Sequence, residues 1–179
     1  MDLLLKFSAL IDKVNVRIGQ AAAWLMLVAV LISAGNAFIR YSFDRSSNAW
    51  LEIQWHLFAA MVMLGAAYTL KMNEHVRVDV LYSRYSERTR LWVDLLGTLF
   101  FLLPMTVIIG WLGWPTLANA FALGETSGNP GGLVKWPALL MIPLGFFLLS
   151  LQGVSEIIKR AAALAGRTKI DAAYEKLLQ

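Results

Sequence analysis

The sequence lacks the residues from which most metal and redox centres are built. None of its 179 residues is cysteine, and only two, His56 and His75, are histidines. Disulfides and thiolate metal ligands are therefore excluded. His56 falls near the beginning of one apolar run and His75 lies beyond the end of the same run, so they cannot ligate a single haem between them. We predict neither a metal centre nor a cofactor in this chain.

Charged residues are scarce as well, and long apolar runs take their place. Asp, Glu, Lys and Arg make up 16% of the sequence, whereas 58% is hydrophobic and the mean hydropathy is +0.59. Four continuous apolar runs, at about 19–39, 50–70, 91–112 and 136–157, are long enough to cross a bilayer as helices. Barrel strands would be shorter and alternating. We therefore predict an all-α integral membrane protein with one four-helix domain over residues 1–179.

The placement of the cations indicates an orientation in the membrane. Most of the 16 Lys and Arg residues precede the first run, lie between the second and third, or follow the fourth; the exceptions are Arg40, Arg45 and Lys135. By the positive-inside rule, both termini are expected in the cytoplasm of a bacterial inner membrane. This topology explains the basic balance, so we expect no nucleic-acid partner.

Three shorter segments are expected at the inner membrane surface. Apolar residues recur at helical spacing from Leu3 to Ile18, with Lys6, Asp12, Lys13 and Arg17 largely on the other side. This pattern predicts a separate interfacial amphipathic helix over about 2–17, in contact with membrane lipid. The segments 78–85 and 170–178 are further candidates.

Ionisable residues are missing from the middle of every predicted span. The carboxylates Glu52, Asp94 and Glu156 all fall within about two turns of a span end. An autonomous ion-coupled transporter usually needs an ionisable group near the midplane. No constellation of nucleophile, base or metal ligand indicates an enzyme either. The chain is therefore expected to be a non-catalytic accessory subunit.

Glu52 and His56 are the most notable polar residues inside a predicted span. They are four residues apart, close enough on a helix to form a hydrogen bond or an ion pair. One interpretation is a proton relay, and the other is a structural pair that stabilises the bundle or a partner interface.

Two connecting segments are also candidate sites. The glycine-rich outer segment 124–132 is either an ordinary turn or a docking surface. The inner segment 71–79, dense in alternating charge, is either a solvated loop or a charge-paired contact with a partner. Pro104 and Pro143 fall inside spans three and four and are expected to kink them.

Three groups of residues carry a family resemblance. Glu52 is followed by Leu64-Gly65-Ala66-Ala67-Tyr68; the inner segment contains His75-Val76-Arg77-Val78-Asp79; and the outer segment leads into Trp136-Pro137 and then Ile142-Pro143-Leu144-Gly145-Phe146. In these features the chain resembles the small membrane (Q, or DctQ-like) subunit of tripartite ATP-independent periplasmic (TRAP) transporters.

The resemblance implies a division of labour among three subunits. A large multi-span (M) subunit would bind sodium and substrate, usually an organic acid, and a periplasmic (P) binding protein would deliver that substrate. The small subunit would support the large one and help form the docking face. The implied partner-contact residues are Glu52, His56, Glu125, Pro130, Gly131, Gly132, Trp136 and Pro137 on the outer side, and Lys71, His75, Arg77 and Asp79 on the inner side. The alternative is a small homodimeric four-span exporter that uses Glu52.

Overall fold

The computed structural model describes residues 2–74, 82 and 84–168. Four helices account for most of them: α1 (Asp2–Phe43), α2 (Asn48–Met72), α3 (Glu87–Ala122) and α4 (Trp136–Leu164). Each is long and apolar enough to cross a membrane. The predicted all-α fold with four membrane-spanning helices is confirmed. We call the end of the bundle formed by residues 44–47 and 123–135 the outer end, and the opposite end the inner end.

The first helix differs from its prediction, because α1 is one continuous helix of 42 residues. The sequence pattern predicted an interfacial helix over 2–17 and a separate span after it. The early part of α1 instead packs against α4, with Ser8, Ile11 and Asn15 buried. Gly19 continues this face, where its missing side chain lets Tyr68 of α2 approach; a Cβ there would lie 2.4 Å from Tyr68 Cβ. Since α4 supplies partners for the polar face of this segment, the chain has no need to turn along the membrane surface.

Short connections with defined caps set the beginning and end of α2. Ser47 caps its N-terminus by accepting a hydrogen bond from the Ala49 backbone N–H. Asn73 ends it in the left-handed region at φ 60°, a conformation that asparagine tolerates better than most residues. The four-residue connection 44–47 makes α1 and α2 an antiparallel hairpin.

The third span is interrupted where its proline predicted a distortion. Thr98–Leu102 form a π-helical turn immediately before Pro104, closed by the bond from Leu103 N–H to Thr98 O. Proline supplies no N–H to the preceding turn, so the helix accommodates it with a wider turn. Gly153 of α4 packs against this turn; a Cβ on it would lie 2.9 Å from Leu102 Cδ2. Pro143, by contrast, lies within the uninterrupted helix α4.

The last helix, α4, is central and contacts each of the other three. Its glycines permit close approach: a Cβ on Gly145 would lie 2.7 Å from the Met63 carbonyl oxygen of α2. Small residues at helix crossings are the usual means of packing in membranes, where dispersion contacts replace the hydrophobic effect. The core of the protein therefore lies along α4.

Candidate functional site at the outer end of the bundle

The connection between α3 and α4 is a compact folded loop rather than an irregular turn. Its two arms pair through an isolated antiparallel bridge between Thr126 and Val134, with Ser127 N–H donating to Leu133 O at 2.8 Å. Lys135 N–H donates to Glu125 O at 2.9 Å, and the side chains of these two residues form an exposed ion pair at 3.4 Å. This pairing leaves the apex, residues 128–131, exposed beyond the helix ends.

Glu52, in the first turns of α2, holds this loop in place. Its side chain is only 3% exposed. The carboxylate accepts hydrogen bonds from Ser127 Oγ, from Asn129 Nδ2 at 2.8 Å and from the Leu133 backbone N–H at 2.7 Å. One carboxylate therefore satisfies donors from both arms of the loop, and bonds of this charge-assisted kind are the stronger class.

Gly132 is required for this arrangement. A Cβ at this position would lie 2.6 Å from Ser127 Cβ and 2.9 Å from Glu52 Oε1. Gly131, just before it, has φ +70°, a backbone conformation that favours glycine. The two glycines therefore serve different purposes: Gly131 allows the chain to turn, and Gly132 leaves room for the carboxylate.

His56 contacts Glu52 in a way that the sequence prediction did not foresee. Its Nδ1 lies 2.8 Å from the backbone carbonyl oxygen of Glu52, and its Nε2 lies 3.1 Å from the carbonyl oxygen of Val134. The expected hydrogen bond or ion pair between the two side chains is thus replaced by two contacts with backbone oxygens. Both oxygens can only accept, so a neutral imidazole donates to one of them and an imidazolium to both. His56 is a second link between α2 and the loop.

Two further contacts join the loop to its surroundings. Asn48 Nδ2 donates to the carbonyl oxygen of Pro130 at 3.0 Å, which ties the apex to the start of α2. Trp136 packs edge-on against Phe121, with ring centroids 5.6 Å apart, and so joins the end of α3 to the start of α4. Pro137 lies in the first turn of α4, where its missing N–H costs no intrahelical bond.

The structure thus brings one group of the predicted residues together at the outer end. The outer group comprises Glu52, His56, Glu125, Pro130, Gly131, Gly132, Trp136 and Pro137. Lys71 lies at the opposite end, in the last turn of α2. His75, Arg77 and Asp79 lie outside the described residues.

A polar network at the inner end was missed by the sequence analysis. Between α1 and α4, the Ser8 and Ser155 hydroxyls lie 2.7 Å apart, and Asn15 Nδ2 donates to Gln152 Oε1 at 2.8 Å. Asp12 accepts from Ser155 Oγ at 2.7 Å and pairs with Lys159 at 3.0 Å. The signal was present in the sequence, because polar residues recur at three- and four-residue spacing on both helices (8, 12, 15 and 152, 155, 156, 159).

The same network continues from α4 to α3. Arg160 pairs with Glu156 on its own helix and with Asp94 of α3, whose Oδ2 lies 3.3 Å from Arg160 Nη2. Tyr82 donates to the same oxygen of Asp94 at 2.9 Å. Salt bridges and hydrogen bonds therefore connect α1, α4 and α3 across the inner end. Lys159 and Arg160, which in the sequence indicated only the orientation in the membrane, thus form salt bridges in this network.

The ionisable side chains that form bonds within the described residues lie at the two ends of four apolar helices, and no group of His, Cys, Asp and Glu among these residues is placed to hold a metal ion. This arrangement defines a multi-pass helical membrane protein. The family model described as "Tripartite ATP-independent periplasmic transporters, DctQ component" matches residues 29–163. The chain belongs to this family and is a small permease component of a TRAP transporter. The comparisons with curated proteins and with solved structures gave no match.

Membership confirms the resemblance noted in the sequence. The matched range contains all twelve predicted partner-contact residues, from Glu52 to Pro137, and all four spans in whole or in part. DctQ is a transporter component family. Its tripartite description implies two partners, the large M component (DctM) and the periplasmic P component (DctP).

Proposed function

We propose that this chain is the non-catalytic subunit that enlarges the stationary part of the transporter and shapes its periplasmic docking face. Sodium and substrate, by default an organic acid, would bind in the large M subunit. The P subunit would deliver the substrate to the outer end of the bundle. Both termini would lie in the cytoplasm of a bacterial inner membrane.

The observation that carries the docking role is the Glu52-bound loop. Its apex is exposed, while its base is held by a carboxylate on a membrane-spanning helix. A surface that must recognise a partner repeatedly benefits from such preorganisation, because less conformational entropy is lost on binding. The same contacts count against the exporter that uses Glu52, since the carboxylate is already occupied by three donors.

The supporting role has its basis in the inner network and the central helix. The contacts of α4 with the other helices, together with the Asp12, Lys159, Arg160 and Asp94 pairs, resist relative movement of the spans. A carrier domain that moves through the membrane needs a fixed body beside it. Lys71, with His75, Arg77 and Asp79, is proposed to contact the large subunit on the inner side.

The docking role can be tested by one added methyl group. In transporter reconstituted with all three components, Gly132→Ala should raise the concentration of binding protein needed for half-maximal uptake, because the new Cβ displaces Ser127 or Glu52. Gly128→Ala, in the same loop but with open space around its Cβ, is the matched control. Wild-type dependence on binding protein in both variants would contradict the docking role.

The supporting role calls for a different measurement. Affinity purification of the chain from its native membranes in mild detergent should recover a much larger polytopic protein in stoichiometric amount. Substrate flux driven by the purified chain alone in liposomes would contradict this role and favour the exporter.

A further inference from the structure

The inner part of α1 presents an apolar stripe away from the bundle. Leu3, Phe7, Leu10 and Val14 follow one another at three- and four-residue spacing and are 79%, 48%, 58% and 43% exposed. This spacing places them on one face of the helix. The opposite face, with Ser8 and Asn15, is the one that packs against α4. The stripe is therefore held outward by contacts on the other side of the same helix.

A row of cations runs beside this stripe. Lys6, Lys13 and Arg17 are exposed and, at 100° per residue, lie roughly 70° around the helix from the apolar residues. Among the described residues none of the three forms an ion pair. Asp12, the only acidic residue between positions 3 and 17, lies on the bundle side and pairs with Lys159. The positive charge of the row is therefore not neutralised by the described part of the chain.

The position of this face along the membrane normal follows from the packing of α1 on α2. Gly19 lies against Tyr68, which is one turn from the end of α2 at Met72. With 42 residues, α1 is about 63 Å long, about twice the thickness of the hydrocarbon core of a bilayer. Arg17 lies about half a turn, and Lys13 less than two turns, beyond Gly19, so both lie at the headgroup layer, with Val14 between them and the rest of the apolar stripe farther from the bilayer centre.

We propose that this face of α1 is a binding site for an anionic phospholipid. The phosphate group would lie between Lys13 and Arg17, and an acyl chain would run from there toward the bilayer centre along the same face of α1, over the exposed Ala21 and Val28. Unneutralised cations at headgroup depth attract anionic lipid, and the exposed apolar surface of α1 between these cations and the bilayer centre suits its hydrocarbon. The contacts of Ser8 and Asp12 with α4 keep the face preformed. This site does not depend on the proposed docking or supporting role.

The test is a lipid titration of the full-length chain, followed by native mass spectrometry in mild detergent. The probes are dioleoyl phosphatidylglycerol and dioleoyl phosphatidylcholine. The wild-type chain should retain phosphatidylglycerol in preference to phosphatidylcholine. In Lys13→Gln/Arg17→Gln, affinity for phosphatidylglycerol should fall about 25-fold, which corresponds to about fivefold for each removed charge.

Arg40→Gln/Arg45→Gln is the matched control, because it also removes two exposed cations that have no ion pair among the described residues, but at the outer end. Arg45 lies beyond the end of α1, so these two do not form a row along one helix face. The control should retain phosphatidylglycerol as the wild type does. Equal retention of the two lipids by the wild type, or equal losses in both double variants, would overturn the proposal. Cross-linking of Lys13 to another subunit in the assembled transporter would also overturn it, since the face would then be a protein interface.

Discussion

Replacing Gln152 by leucine should destabilise the bundle more than its small change in volume suggests. The Gln152 side chain is 0% exposed and joins three partners. Its Oε1 accepts from Asn15 at 2.8 Å, and its Nε2 donates to Asp12 at 2.9 Å and to Glu156 at 3.0 Å. Leucine fills similar space but can make none of these bonds, so the cost is almost entirely that of unmatched polar groups.

The size of this destabilisation depends on which partners of Gln152 keep other hydrogen bonds or ion pairs after the substitution. Asp12 and Glu156 keep their contacts with Lys159, whereas the buried amide of Asn15 loses the one hydrogen bond that it makes within the described residues. Side-chain hydrogen bonds between membrane helices average about 0.6 kcal/mol, so the two that join α4 to α1 amount to about 1 kcal/mol, while the bond to Glu156 lies within α4. An unsatisfied buried amide can itself cost about 1–3 kcal/mol. We therefore expect Gln152→Leu to lower the free energy of unfolding by about 2–4 kcal/mol.

The assay is reversible unfolding by denaturant in a fixed detergent or lipid mixture. Gln20→Leu is the matched control, because Gln20 is exposed on α1 and makes no hydrogen bond within the described residues; its effect should stay within about 0.5 kcal/mol. The double variant Asn15→Leu/Gln152→Leu should recover part of the loss, because the unmatched amide is then gone. A Gln152→Leu variant as stable as the wild type would refute the reasoning and mean that packing alone holds α1 on α4.

Two other predictions concern α2. Gly145→Ala should destabilise the protein by about 1–3 kcal/mol in the same unfolding assay, because its Cβ would meet the Met63 backbone. The control is Gly65→Ala, which has nothing within 4 Å of its Cβ and should be neutral or stabilising. Equal effects of the two substitutions would contradict the packing argument. His56→Phe should leave overall stability nearly unchanged but speed amide hydrogen exchange around Val134, because one link between α2 and the outer loop is lost. Exchange at the wild-type rate would mean that the His56 contact does not help to hold the loop.

The outer site could be predicted in part from the sequence. A carboxylate inside an apolar run indicates a protein-facing position, because an ionised group in contact with lipid is costly, and Glu52 is indeed buried. Its partners could not be predicted, since the donors come from residues 75 to 81 positions away. The i, i+4 spacing suggested His56 instead, because spacing reports only neighbours on the same helix.

At the inner end, the sequence pattern identified the two faces of α1 but not which of them contacts protein. Helical periodicity grouped most apolar residues of the inner part of α1 onto one face, yet that face points outward; Ile11, predicted on the same face, is instead buried beside the polar residues that pack on α4. A hydrophobic pattern alone cannot say which face meets protein in a membrane, because lipid accepts apolar side chains as readily as a protein core does.

Composition and apolar run length by themselves determined that the chain is a membrane protein, that it has four spans, and that these spans are helices. The physical reason is local: a bilayer offers no hydrogen bonds to the backbone, so any apolar run of sufficient length must satisfy its own. Only the tertiary structure decided that α1 is a single helix, that Glu52 binds the outer loop, and that α4 lies at the centre with its charges paired. Each of these features depends on contacts between residues distant in sequence, whose geometry is set by the packing of whole helices.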